Sequence, residues 1–230
     1  MSEAQILFYL LFIPHVLFAI SIHEGAHAYT AYYFGDDTAA LMGRVSLNPL
    51  RHLDPWGVLA FIIMHFGWAK PVPVNPARLR NPRRDEMLVS LAGPASNLAL
   101  ALLFSLILRF FFPAGDELKR MLSSPGMLPT LFLFFAVGAQ LNAVLAFFNL
   151  LPIPPLDGSH IIAWFLPRHL AVRFERSMQY GMFILLGLIA LSFIGINIFG
   201  YLIGLPMLTF LRLVMGDQLL AVVLTQMSLF

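Results

Sequence analysis

Residues 6–22 read ILFYLLFIPHVLFAISI, without a single Asp, Glu, Lys or Arg, and run directly into His23-Glu24-Gly25-Ala26-His27. An apolar run of this length is read as a membrane-crossing helix, because a helix satisfies its own backbone groups where water cannot. Continued to Gly35-Asp36-Asp37, the pattern predicts one long helix over residues 5–34. At 1.5 Å per residue, His23 lies roughly 25 Å from the start of the run, in the far third of the hydrocarbon layer. Residues four apart stack on one helix face, so His23 and His27 can offer two imidazole nitrogens to one metal ion. Glu24 projects close to that face and can reach a water there. A hydrophobic helix gains nothing from burying His, Glu and His unless they are paired or metal-bound. Pro14 is placed to kink the helix, and His15, on a different turn, reads as a hydrogen-bonded or interfacial histidine.

Composition agrees with the helix. The chain is 59% hydrophobic and 11% charged, with a mean hydropathy of +0.81; a soluble domain carries roughly 25% charged residues. A polytopic membrane protein follows, as a single integral-membrane domain over 1–230 with its core at 5–165 and C-terminal membrane helices at 178–215. The net charge of +2 comes mostly from a few loops and speaks for topology, not for nucleic acid. With no cysteine, disulfides and thiolate metal sites are excluded, so a metal must be held by His, Asp or Glu. The first apolar run lacks a small-residue cleavage site and is read as a retained anchor.

Further along, residues 87–112 and 127–149 predict two more spans, and 178–215 predict two spans or one span and a shorter return. In all, about five to six transmembrane helices are expected in an all-α fold. The region 36–86 is different. Met42 to Asn48 alternates like a strand. Gly57 to Trp68 is apolar but too short to span comfortably. In Lys70-Pro71-Val72-Pro73-Val74 the prolines remove donors along one edge only, as in an edge strand; a polyproline II connector is the competing reading. A small membrane-associated β-hairpin or re-entrant segment is therefore expected after the first helix. Arg78, Arg80, Arg83 and Arg84 form the most basic loop, read as a cytoplasmic flank. Residues 113–126 read as a short loop, 161–177 as a second basic loop and 216–230 as a weakly amphipathic tail. In the second span, Gly93 and Pro94 are read as packing residues and Asn97 as a structural polar residue seeking a partner.

Residues 149–160, NLLPIPPLDGSH, break the helix with three prolines. Irregular backbone at membrane depth is tolerated where it is buried in protein or lines a wet cavity, and an ionisable Asp there is a functional candidate. Two histidines leave a metal short of protein ligands, since catalytic zinc sites hold three plus water. Asp157 is the first choice for the third, with His160 and His65 as rivals. The basic loops at 70–86 and 161–177 should both be cytoplasmic, which puts Asp157 on that side. For the first helix to meet it there, the 57–68 segment must be re-entrant or interfacial.

Taken together, His23-Glu24-Gly25-Ala26-His27 in a first helix, Leu91-Ala92-Gly93-Pro94-Ala95-Ser96-Asn97 in a second and Asn149 to Gly158 after a third resemble the site-2 protease family of intramembrane zinc metalloproteases. The resemblance covers most of residues 5–165. It implies one Zn2+ per chain held at His23, His27 and Asp157, Glu24 as the catalytic base, and Asn149 in the active site. It also implies a membrane-embedded β-hairpin within 40–75 and a transmembrane segment of another protein as substrate. From the basic loops, residence in the plasma (inner) membrane with the site towards the cytoplasm is expected. Many members carry PDZ or CBS domains; this chain has room for neither and resembles the minimal members. Intramembrane His and Asp also occur in divalent-metal transporters, the competing class, and Glu24 discriminates between the two. If the edge at 42–48 or 70–75 holds an unwound substrate by strand addition, Val72→Pro weakens cleavage without removing metal. Peptide cleavage at the full wild-type rate would reject that role.

Overall fold

The computed structural model describes residues 3–64 and 69–227. The fold is helical: α1 (Glu3–Tyr33), α2 (Thr38–Leu41), α3 (Pro55–Met64), α4 (Pro82–Phe111), α5 (Gly115–Leu122), α6 (Met127–Asn149), α7 (Asp157–Phe165), α8 (Arg168–Ser177), α9 (Gly181–Phe193), α10 (Leu205–Met215) and α11 (Asp217–Met227). Among the described residues, three helices are long and apolar enough to cross a membrane: Gln5–Tyr33, Pro82–Phe111 and Met127–Asn149. The 178–215 region forms α9, only 13 residues long, and an apolar helical stretch at Gly200–Met215 that is likewise shorter than the three spanning helices. A helix of 13 residues is about 20 Å long, against a hydrocarbon core of about 30 Å.

The chain divides into two compact units. One comprises Met1–Val16, Asn97–Phe147 and Phe199–Phe230. Its core joins Phe104 and Leu108 of α4, Leu118 of α5, Phe132 and Ala136 of α6, Leu211 of α10 and Val223 of α11. Two buried amides pair inside it: Asn97 Nδ2 donates to Asn142 Oδ1 at 2.9 Å, and Asn142 Nδ2 donates to Gly138 O at 2.8 Å. The partner that a polar group in an apolar helix requires is thus another asparagine. His15 is buried here too, its Nδ1 2.7 Å from Leu11 O and its ring against Phe134.

The other unit comprises Leu17–Ser96 and Phe148–Ile198. Its α1 ends in a Schellman turn. Gly35 has φ +107°, Gly35 N donates to Tyr32 O at 3.0 Å, and Asp36 N donates to Ala31 O at 2.9 Å. Asp36 is thereby turned inward and fully buried. Its carboxylate accepts from Thr38 N at 3.0 Å, from the Thr38 hydroxyl and from Asn75 N at 2.6 Å. The segment after α3 is tied at its other end as well: Lys70 N donates to His52 O at 2.8 Å, and Arg44 Nη2 donates to Lys70 O at 2.6 Å. Residues 70–75, outside helix and strand, therefore form a strap fastened at both ends.

Several expectations change here. Met42 to Asn48 is not a strand: Gly43, at φ +65°, turns the chain directly after α2, and its carbonyl accepts from the Arg51 guanidinium. Among the described residues, β pairing is limited to one antiparallel bridge, Leu53 with Ala69. The apolar 57–68 segment is helical as far as Met64 within α3; His65 and Trp68 lie outside the described residues. The 113–126 and 161–177 loops are largely helical, as α5 and as the end of α7 with α8; charges at helical spacing on short amphipathic helices do not show in a count of loop residues. The basic loop is also less free than its charge suggests. Arg78 pairs with Asp37, Arg84 with Asp85 at 2.8 Å, and Arg83 reaches the end of α7.

Burial, the largest single effect, pushes the Asp36 carboxyl up, but the hydrogen bonds from Thr38 and Asn75 with the charge of Arg78 together hold it below its ordinary value of 3.8. Its stabilisation is complete above that value and drains away as pH falls through the depressed one. Asp36→Ala is expected to cost about 3 kcal/mol near neutral pH, seen as a lower thermal midpoint in detergent and faster amide exchange at Asn75. The difference from wild type should narrow below pH 3.8.

Candidate metal centre

α1 carries His23 and His27 on one face, as the four-residue spacing requires. Their Nε2 atoms are 3.0 Å apart, with the rings edge to face at 83°. Asp157, the first residue of α7, brings Oδ2 to 3.1 Å from His23 Nε2 and Oδ1 to 3.3 Å from His27 Nε2. These three side chains are the His/Asp/Glu grouping able to hold a metal ion among the described residues. Both histidines are buried.

The chemistry of the donors fits a divalent cation. Two imidazole nitrogens and a carboxylate oxygen converge at 3.0–3.3 Å. Tetrahedral zinc with bonds of about 2.0–2.1 Å places its ligand atoms about 3.3 Å apart. The buried Asp157 Oδ2 accepts no hydrogen bond among the described residues. His27 Nδ1 lies 2.7 Å from Val89 O and donates to it, which fixes the tautomer and leaves the Nε2 lone pair facing the site.

Local backbone explains how Asp157 arrives there. After α6 the prolines prevent helix, and short turns replace it, with Ile153 N donating to Leu151 O at 2.8 Å and Leu156 N to Ile153 O at 2.9 Å. Gly158 lies so close to the Leu150 and Leu151 carbonyls that a Cβ has no room. Gly93 plays the same part for the histidines. A Cβ there would lie 2.6 Å from His23 Nε2 and closer still to His27 Nε2. Leu91 to Asn97 thus includes the wall of the site. The sequence reading, which took Gly93 for a packing residue, missed this because a glycine carries no chemical label.

Glu24 accepts a hydrogen bond from Val72 N at 2.9 Å through Oε2. The strap's one amide between its two prolines is therefore committed to the glutamate of the motif. Asn149 closes α6, eight positions before Asp157. The rival His160 instead bonds Glu86 Oε1 through Nδ1 at 3.1 Å. That hydrogen bond raises its pKa against the opposing effect of burial.

A helical membrane protein with an H-E-x-x-H helix and a carboxylate as the third donor belongs to the metallohydrolase class by its site. Comparison with known proteins makes this specific. The model of peptidase family M50 matches residues 120–189, which include Asn149 and Asp157. The chain is 43% identical over 171 residues to "Putative zinc metalloprotease YwhC" of Bacillus subtilis, covering 74% of this chain and 76% of that protein. It is 35% identical over 157 residues to "Putative zinc metalloprotease Rip2" of Mycolicibacterium smegmatis, covering 65% of this chain and 55% of that one. A shorter match, 37% over 76 residues, joins it to "Putative zinc metalloprotease MJ0611" of Methanocaldococcus jannaschii. No solved structure matches significantly. The chain belongs to peptidase family M50, the site-2 protease family, and is a zinc metalloprotease.

Gly93→Ala is expected to push the two imidazoles apart. Purified in detergent, the variant should hold well under one zinc per chain by elemental analysis while its helix content, by circular dichroism, stays that of wild type.

Proposed function

We propose that the protein cuts peptide bonds within or near transmembrane segments of other membrane proteins, with His23, His27 and Asp157 as the zinc ligands and Glu24 as the catalytic base. The observation that carries this reading is the position of His23, Glu24 and His27 inside Gln5–Tyr33, a helix long and apolar enough to cross a membrane. Zinc, when bound, would activate a water and polarise the peptide carbonyl. Glu24 takes a proton from the attacking water and hands it to the leaving amine. The Val72 N–H steadies that carboxylate through one oxygen, leaving the other directed to the proton. Asn149, at the end of α6, supplies an amide donor for the developing oxyanion.

A transmembrane helix is a poor substrate until it unwinds, because its carbonyls are already hydrogen-bonded. The strap at 70–75, which joins no strand ladder among the described residues, offers backbone carbonyls to an unwound segment. Since Val72 N–H is taken by Glu24, Val72→Pro acts on the base as well as on the strap. The arginines at 78–84 and at 168–176 favour a plasma (inner) membrane orientation with the site towards the cytoplasm.

Wild type and Glu24→Gln, purified in detergent and incubated with single-span membrane peptides, test the reading. Both are expected to bind about one zinc. Only wild type should cleave, with Glu24→Gln slower by about 10²–10⁴-fold, and a chelator should stop the reaction. Full-rate cleavage by Glu24→Gln would remove the base assignment. Metal transport into liposomes by a wild type that cleaves nothing would replace protease by transporter.

A further inference from the structure

The geometry points to Arg83 as a positioning residue for the third metal ligand: from α4, which also backs the two histidines, it holds the far end of the short helix that begins at Asp157. This inference rests on the metal-site reading above and extends it to a residue outside the motifs.

The end of α7 lacks its own donors. Ala163 O would normally accept from the residue four positions on, which is Pro167 and has no N–H. Arg83 Nη2 fills the gap, donating to Trp164 O at 2.9 Å, to Leu166 O and, more weakly, to Ala163 O at 3.4 Å. A guanidinium over the C-terminal carbonyls of a helix also answers the helix dipole. One turn from the start of α7, His160 Nδ1 meets Glu86 Oε1 at 3.1 Å. Arg83 and Glu86 thus grip a nine-residue helix at two points. At about 13 Å in length, α7 behaves as a rigid lever, and a tilt at its end moves Asp157 at its beginning.

What makes this more than helix capping is the rest of α4. Arg83, Glu86, Val89 and Gly93 share one face of the helix. Val89 O holds the His27 ring and Gly93 sets the distance to both imidazoles. One stripe therefore holds both halves of the donor set, the histidines through Val89 and Gly93 and the carboxylate through Arg83 and Glu86. The His23–Asp157 spacing of 3.1 Å and the His27–Asp157 spacing of 3.3 Å are set by one template rather than by two elements packing independently.

The test measures metal, not turnover. Wild type, Arg83→Ala, Arg83→Lys, Asp157→Ala and Arg109→Ala are titrated in detergent with zinc against a chromophoric chelator, and the visible spectrum of each Co2+-loaded form is recorded. Arg109 serves as the control because it makes a similar bond, Nη1 to Val214 O at 2.6 Å, in the other compact unit. Arg83→Ala is expected to weaken zinc binding about 10–100-fold and to alter the Co2+ bands. Arg83→Lys, which keeps a donor, should recover most of the loss, and Arg109→Ala should bind like wild type. Wild-type affinity and spectrum in Arg83→Ala would overturn the inference, as would an equal loss in Arg109→Ala. If Asp157→Ala binds zinc as tightly as wild type, the metal-site reading itself falls, a result distinct from failure at Arg83 alone.

Discussion

Two imidazole nitrogens and a carboxylate oxygen held about 3 Å apart inside an apolar helical protein are an electrostatic demand before they are a catalyst. Left to themselves such groups would turn apart or find water. They stay together because each is held from behind: His27 by the Val89 carbonyl, Asp157 by the start of α7, both rings by the absence of a side chain at Gly93. A divalent cation would satisfy what the donors cannot satisfy for one another. Much of the unit that contains them, from the Schellman turn after α1 to the proline-broken stretch before α7, serves to keep those atoms in place.

Much of this was legible in the sequence, because it depends on residue type and spacing. Long apolar runs gave α1, α4 and α6 nearly to their ends, since a helix in hydrocarbon must be both apolar and long. The four-residue interval gave the histidine pair, and prolines followed by an ionisable Asp gave its partner. What escaped was carried by the backbone. Val72 acts through its N–H and Val89 through its C=O, and neither side chain announces it. Gly93 acts by having nothing to contribute but room. The strand expected at 42–48 failed because Gly43 and the Arg51 contact to it turn the chain, and alternation over seven residues cannot register a turn made by one of them.

Charge is another place where composition leaves the geometry unsaid. Four arginines between residues 78 and 84 suggest a diffuse positive flank. In the fold three of them are individual ties: Arg78 to Asp37, Arg84 to Asp85 and Arg83 to the carbonyls ending α7. An orientation rule counts charges, whereas the fold uses the geometry of each guanidinium, whose planar fork can reach several acceptors at once.

The strap at 70–75 has a consequence for the life of the chain before it reaches its final form. An extended, half-apolar segment with open backbone is an invitation to other strands, and a membrane concentrates such neighbours. Prolines at 71 and 73 withdraw two of its donors, and Glu24 occupies the one between them. Copies of this chain lying side by side therefore find little on which to build a shared sheet. The strap keeps acceptors but few donors, so it can take a segment that brings its own N–H groups while giving another copy of itself little to pair with.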